Sequence, residues 1–344
     1  MLLARSPPPP LLPVTSFSAR SVRAFPSRCV AAPRAAANAD AATKASSLWG
    51  GQKRKQVASV ANPLVKHCVK LRDSAAYRRS RRRVLLIGLA PIREICALGF
   101  ASIECLLLLD GVEIPDELHE LSADVVYVSA TVMKKISGMR SVDSTEAIAV
   151  MHMPKHFCDL NSGDEGGAGL DGLFHLSPNR ILVLDGIQDP GNLGTLIRSA
   201  CAFKWDGVFL LPACCDPFNE KALRAARGAS LQLPVVSGNW CDLQALVTKY
   251  DMKMLAGHPE SGSDGSEETR PLSKELADSL MSKSLCLVLG SEGNGLSKET
   301  IQGCELVSIP MEGIFESLNV SVAGGIFLFM LQLRQETYNR TLAP

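Results

Sequence analysis

From Arg180 onward, apolar runs of strand length alternate with segments of helix length. Arg180 to Ile187, Gly207 to Leu211, Lys253 to Ala256, Leu285 to Leu289 and Leu306 to Ile309 read as buried strands. Gly194 to Ala202, Glu220 to Ala229, Leu243 to Tyr250 and Ser317 to Leu333 read as the helices of the same series. Strands joined through helices run parallel, and a parallel sheet needs cover on both faces. The pattern therefore predicts an α/β domain over residues 179–340, with a mostly parallel sheet between helical layers.

Upstream, Ile92 to Gly99, Cys105 to Leu109, Val125 to Val128 and Ala147 to Met151 mix helix-like and strand-like pieces, predicting a smaller α/β domain over residues 56–155. Asp159 to Gly172 is rich in Gly, Asp and Asn, so residues 156–178 read as a linker. Gly262 to Glu268 reads as a surface loop.

The apolar stretches, Cys105 to Leu109 and Val320 to Leu333, are shorter than the ~20 residues a bilayer-spanning helix needs, so no membrane partner is expected. The 11 cysteines include no CxxC pair, and adjacent Cys214 and Cys215 cannot easily share one tetrahedral zinc. They read as reduced thiols, with no metal site.

Charge is unevenly spread. Residues 1–83 hold 17 of the 36 Lys and Arg but only two of the 35 acids, Asp40 and Asp73, so this front carries +15 and the remainder −14. Met1 to Asn38 has no acid at all and is rich in Ser, Ala, Pro and Arg, a transit-peptide composition. Pro7 to Pro10 oppose the amphipathic helix of a mitochondrial presequence, so residues 1–55 read as a chloroplast leader, with mitochondrion as the alternative. Between Lys53 and Arg83 the bases recur at helical spacing, which makes Lys66, Lys70, Arg72, Arg78 and Arg79 candidate RNA phosphate contacts, or else a solvated helix face.

In open parallel sheets, ligands sit beyond the carboxyl ends of the strands. Three such places are unusual. The first is Asp185-Gly-Ile-Gln-Asp-Pro-Gly-Asn192-Leu-Gly-Thr195-Leu-Ile-Arg198, a turn entering a helix on which Asn192, Thr195 and Arg198 share a face. The second is Gly290-Ser-Glu292-Gly293-Asn-Gly295, whose glycines allow a ligand close to the backbone. The third is Ile309-Pro310-Met311 followed by Glu316-Ser317-Leu318-Asn319-Val320-Ser321, where Ser317 is the expected helix cap and Gly324 and Gly325 suggest close helix packing.

In this order, the three motifs resemble the SpoU family of RNA ribose 2′-O-methyltransferases over about residues 179–334, and Asn62-Pro63-Leu64-Val65-Lys66 with Lys70-Leu71-Arg72 is similar to the ribosomal-protein-like RNA-binding domain that precedes it in rRNA enzymes. The resemblance implies a C-terminal trefoil knot, a homodimer, and S-adenosylmethionine as methyl donor without a metal. It implies donor contacts at Gly290, Ile309, Met311 and Leu318. It also implies catalytic roles for Arg198, Asn192, Glu292, Asn319 and Ser317, with Glu292 fixing Arg198 or the loop and Arg198 acting as base or as phosphate clamp. The expected reaction is ribose methylation of organellar RNA, with large-subunit rRNA as leading substrate and tRNA as alternative. A catalytically idle ribosome-assembly factor on the same fold is the competing class.

Overall fold

The computed structural model describes residues 55–99, 102–119, 123–139, 145–162, 177–259, 269–313 and 317–333, all within one compact unit. Residues 1–54 of the expected leader, the 262–268 loop and most of the expected linker lie outside the described residues, while Lys55 opens the first strand.

The first lobe is a five-stranded sheet built from β1 (Lys55–Val57), β2 (Arg83–Ile87), β3 (Ile103–Leu109), β4 (Asp124–Val128) and β5 (Ala147–His152), in the order β1-β4-β3-β5-β2. Parallel pairs join β4 to β1 and β3, whereas β5 runs antiparallel to β2 and β3. Four helices accompany it: α1 (Pro63–Asp73), α2 (Ala75–Arg81), α3 (Leu89–Ala97) and α4 (Ala130–Ser137). Asn62 starts α1 by accepting the Leu64 N–H at 2.9 Å, with Pro63 at the first helical position, where its missing N–H costs nothing.

The second lobe holds an eight-stranded sheet, every pair parallel, in the order β11-β13-β10-β12-β7-β8-β9-β6. Its strands are β6 (Phe157–Asp159), β7 (Arg180–Asp185), β8 (Gly207–Leu210), β9 (Val235–Ser237), β10 (Lys253–Gly257), β11 (Arg270–Pro271), β12 (Leu285–Gly290) and β13 (Glu305–Ser308). The edge strand β6 falls inside the stretch expected to be linker, where Phe157 and Cys158 bury their side chains.

Alternation along the strands sorts the core into two layers. Leu182 and Leu184 of β7 with Leu285, Leu287 and Leu289 of β12 face one layer; Ile181, Val183, Cys286 and Val288 face the other. The first layer is covered by α5 (Pro190–Ala202), α6 (Glu220–Ala226), α8 (Lys274–Ser279) and α10 (Val320–Met330), the second by α7 (Trp240–Lys249) and α9 (Lys298–Gly303). The first layer continues without a break into Val84, Leu86, Ile92 and Ile95 of the small lobe.

Helix α10 is apolar almost throughout, and its C-terminal end is fixed by side-chain donors. The buried Arg180 guanidinium donates to Leu331 O at 2.8 Å and Leu280 O at 3.1 Å, and Trp205 Nε1 donates to Leu328 O at 3.3 Å. Burial pulls the Arg180 pKa down to about 10, with Asp206 opposing the shift, so it stays cationic and satisfies helix-end carbonyls. The two glycines of this helix differ. A Cβ on Gly324 would come within 2.2 Å of Leu196 on α5 and 2.8 Å of Leu289, whereas one on Gly325 would meet nothing within 4 Å. Close packing therefore accounts for Gly324 and not for Gly325. Gly324→Ala is expected to destabilise the protein by ~1–3 kcal/mol through overpacking, while Gly325→Ala is neutral or stabilising by up to ~1 kcal/mol because it removes a helix-interior glycine. Urea unfolding of the two variants checks this; equal losses would contradict it.

Candidate active site

Strand order brings the three motifs together. Because β13, β10, β12 and β7 are neighbours and parallel, the loops leaving β7, β12 and β13 emerge on one edge of the sheet.

Each loop has its own local anchor. After β7, Gly186 takes a positive φ of 70°, and Asp189 caps α5 by accepting the Asn192 N–H at 2.8 Å. After β12, Ser291 and Gly295 exchange two backbone hydrogen bonds of 2.9 Å and close a tight loop that holds Glu292 at its tip. Asp185 ties this loop to β7, accepting from Ser297 N and Thr300 Oγ1, each at 2.8 Å. Before α10 the cap is Asn319 and not the expected Ser317: Asn319 Oδ1 accepts from Ser321 N at 2.9 Å, Ser321 Oγ at 2.6 Å and Val322 N at 3.3 Å. An asparagine three residues before Val322 offers the same cap chemistry as serine, and the helix begins at Val320, later than the pattern suggested.

The loops meet at one carboxylate oxygen. Glu292 Oε1 accepts from Asn192 Nδ2 at 2.6 Å and from Asn319 Nδ2 at 2.7 Å, and Asn319 Nδ2 also lies 3.3 Å from Asn192 Oδ1. Asn319 thus uses its oxygen for the helix and its amide for the site. Arg198 stands exposed on α5, without a hydrogen bond or ion pair among the described residues. Glu292 is bonded to the two asparagines, and no bond from it to Arg198 occurs among the described residues.

Beside this cluster lies a cavity of about 280 Å³ lined by Gly290, Ile309, Met311, Ser317 and Leu318. Phe327, Val320 and Leu289 complete an apolar wall. Gly290 is required at its floor, since a Cβ there would come within 2.4 Å of the Gly295 carbonyl oxygen. Gly257, His258 and Pro259 also line the cavity. These were missed in the sequence, although they end and follow β10 by the same rule that exposed the other loops.

Cys214 and Cys215 lie near the first motif, and burial pushes their thiols up to about 11 and about 12, so neither supplies a thiolate at neutral pH. The described cysteines are all free, and no group of metal-ligating side chains occurs among the described residues. No described helix is long and apolar enough to cross a membrane.

The expected RNA contacts divide. Lys66 and Lys70 are exposed. Arg78 is not available: it is 3% exposed and paired with Asp216. Arg79 pairs with Asp159 at 2.7 Å, and Arg72 donates to Lys135 O and Ile136 O at the end of α4. Helical spacing places cations on a helix but does not say which of them face a neighbouring lobe. Arg81, on the same turn as Tyr77, remains exposed, and its guanidinium lies 5.4 Å from the ring centre, with Lys70 at 5.6 Å.

Residues 179–329 match the model of the SpoU rRNA Methylase family. The chain is 27% identical over 279 residues to the 23S rRNA (guanosine(2553)-2′-O)-methyltransferase RlmP of Bacillus subtilis, covering 81% of this chain and 99% of that protein. It is 30% identical over 268 residues to an uncharacterised tRNA/rRNA methyltransferase of Mycobacterium leprae, covering 73% of this chain and 77% of that protein. Among solved structures, the AdoMet-bound rRNA methyltransferase of Sinorhizobium meliloti shares the fold with a TM-score of 0.62 at 24% identity, covering 80% of this chain and 97% of that one.

Proposed function

The chain belongs to the SpoU rRNA Methylase family, and from that premise we propose that it transfers the methyl group of S-adenosylmethionine to a ribose 2′-hydroxyl of RNA, with large-subunit rRNA as its substrate. The single observation that carries this reading is the Asn192–Glu292–Asn319 cluster, assembled from three separate loops at the rim of a donor-sized cavity.

The cavity residues fit the donor. Gly290 lets the Ser291–Gly295 loop close against the strand end beside the cavity, and Ile309, Met311 and Leu318 offer an apolar wall for the donor. The bound donor supplies an electrophilic methyl group on a sulfonium. For the acceptor, the chain must hold a ribose oxygen in line with that methyl, at ~3–3.5 Å. Asn192 and Asn319, locked by Glu292, orient the ribose; Ser317 stands at the rim to seat it. Arg198 contributes as a cation. A guanidinium offers only donors, so on this reading it clamps the neighbouring phosphate and stabilises negative charge developing on the attacking oxygen, while the hydroxyl proton leaves to solvent water.

Tritiated S-adenosylmethionine, large-subunit rRNA transcript and purified protein test the proposal: digestion to nucleosides should release label as a 2′-O-methyl nucleoside. Label on a base, or no transfer to rRNA with transfer to tRNA, would displace the rRNA ribose reading. No transfer to any RNA would favour an assembly factor. Arg198→Ala is expected to lower transfer at least ~10-fold with donor affinity intact; loss of donor binding would point instead to a role in folding.

The outer face of α10 supports a homodimer. Val322 is 53% and Phe329 56% exposed on the side where Gly325 leaves the helix backbone open. Such an apolar stripe is suited to a second copy of the same face. Size-exclusion chromatography with light scattering should give twice the monomer mass, and a fully active monomer would contradict the proposal.

For location we propose a chloroplast, on the acid-free composition of residues 1–38 and the four prolines at Pro7 to Pro10. A fluorescent reporter behind residues 1–55 should enter plastids; entry into mitochondria or retention in the cytosol would overturn this.

A further inference from the structure

Resting on the methyltransferase reading, we propose that Arg78 and Asp216 form a fixed joint that sets the RNA-binding helices at a constant offset from the methyl site, making both positioning residues for the choice of ribose. The observation is the course of contacts from one lobe to the other. Arg78 Nε donates to Asp216 Oδ2 at 2.8 Å, and its Nη2 donates to the same oxygen. Its Nη1 donates to Leu71 O at 2.5 Å and Arg72 O at 2.7 Å, in the last turn of α1. A single planar guanidinium therefore fixes α1, α2 and the loop after β8 relative to one another.

That loop continues to the first motif. Asp216 Oδ1 accepts the Phe218 N–H at 3.0 Å, and the Phe218 ring meets Phe157 of β6 edge-on at 4.9 Å. Cys214 Sγ donates to Leu184 O at 3.2 Å, and Cys215 N donates to Ile187 O at 2.8 Å. Ile187 lies two residues before Asp189, the cap that presents Asn192. A second pair, Arg79 with Asp159 at 2.7 Å, and a third, Arg227 with Glu94 at 3.0 Å, cross between the lobes as well.

The exposed cations of α1 and α2, Lys66, Lys70 and Arg81, are thus connected through hydrogen bonds and packed rings to the asparagine that orients the acceptor. Contacts to phosphate carry no base information but fix position along the RNA. If the offset is constant, the ribose that reaches the donor is chosen by its distance from the phosphate contact. A buried ion pair is poor grounds for stability, since apolar replacements of both partners often fold as well. What the fork does provide is a fixed angle and distance.

The full-length protein carrying Arg78→Met with Asp216→Asn tests this against Asp216→Asn alone. The single variant leaves a buried cation unpaired and should melt early; the double variant should recover most of that loss. The double variant is expected to keep donor affinity and affinity for an RNA duplex of arbitrary sequence. Its turnover on rRNA transcript should still fall about 10–100-fold, the scale of a small misplacement of reacting groups, and methylation mapping should show the mark spread onto neighbouring riboses. Recovery of turnover and of single-site marking together with thermal stability would show a merely structural pair and overturn the proposal. Arg78→Lys, which keeps the charge and breaks the fork, carries the same comparison if the double variant does not fold: reduced turnover with unchanged donor affinity supports the joint, wild-type turnover at one site refutes it. If the wild-type protein methylates no RNA, the methyltransferase reading fails on its own. The joint is then judged by hydrogen exchange, where faster exchange in the double variant confined to α1, α2 and residues 211–219 supports it and unchanged exchange overturns it.

Discussion

Asn319→Asp is expected to lower methyl transfer about 10³-fold, the scale seen when a pre-set polar group is removed from a reacting centre, while the fold survives. The two functions of this side chain point opposite ways, which is what makes the substitution informative. Its oxygen caps α10 through three hydrogen bonds, and aspartate caps as well as asparagine. Its amide donates to Glu292 and Asn192. In the variant a second carboxylate oxygen would stand where the amide was, about 2.7 Å from Glu292 Oε1, and two carboxylates that close cannot both stay ionised without moving apart. Single-turnover transfer, with unfolding measured in parallel, checks the result. Wild-type turnover would show that the asparagine serves only the helix. Asn319→Ala, by contrast, removes both functions and would add ~1 kcal/mol of lost capping to the defect.

Gly290→Ala should weaken donor binding about 100-fold, or ~2.7 kcal/mol, and leave transfer barely measurable. The added Cβ would lie 2.4 Å from the Gly295 oxygen, 2.5 Å from its carbonyl carbon and 2.7 Å from Leu296 N, all backbone atoms that cannot rotate away. The loop they belong to is closed by its own pair of hydrogen bonds and held to β7 by Asp185. Relief therefore requires displacing the whole loop, with Glu292 on it. Gly293→Ala is the control: its Cβ meets nothing within 4 Å, so donor affinity should be unchanged. Calorimetric titration with S-adenosylmethionine separates the two, and equal affinities for both variants would show that the loop yields.

Five strands of the large sheet were legible because their buried interiors read as continuous apolar runs, as Arg180–Asp185 and Leu285–Gly290 do, whereas β6, β9 and β11, of two or three residues, were not. The motif loops were legible for a related reason, since residues just beyond such runs face the ligand side. The strand order was not: nothing local in Lys253–Gly257 says that it lies between β12 and β13, and so Gly257, His258 and Pro259 went unread although they line the cavity. The edge strand Phe157–Asp159 escaped notice because three residues give no periodicity, and the Gly-rich sequence after it dominated the reading. Arg78 shows the same limit from the other side. Its neighbours Lys70 and Arg81 are exposed cations, and only tertiary packing against Asp216 distinguishes it from them. Ser317 and Asn319 are both good cap residues, and residue type alone does not choose between them; in the structure Asn319 caps the helix.

The seating of α10 has a consequence for the order in which the enzyme becomes competent. Ser317, Leu318, Val320, Ala323 and Phe327 form one side of the donor cavity, and their helix is held at its far end by Arg180 and Trp205, laid down more than a hundred residues earlier. The small lobe and most of the parallel sheet precede α10 along the chain, so during synthesis they can fold before the cavity has all its walls. The cavity is therefore completed only when α10, the last of the described helices along the chain, docks against Arg180 and Trp205.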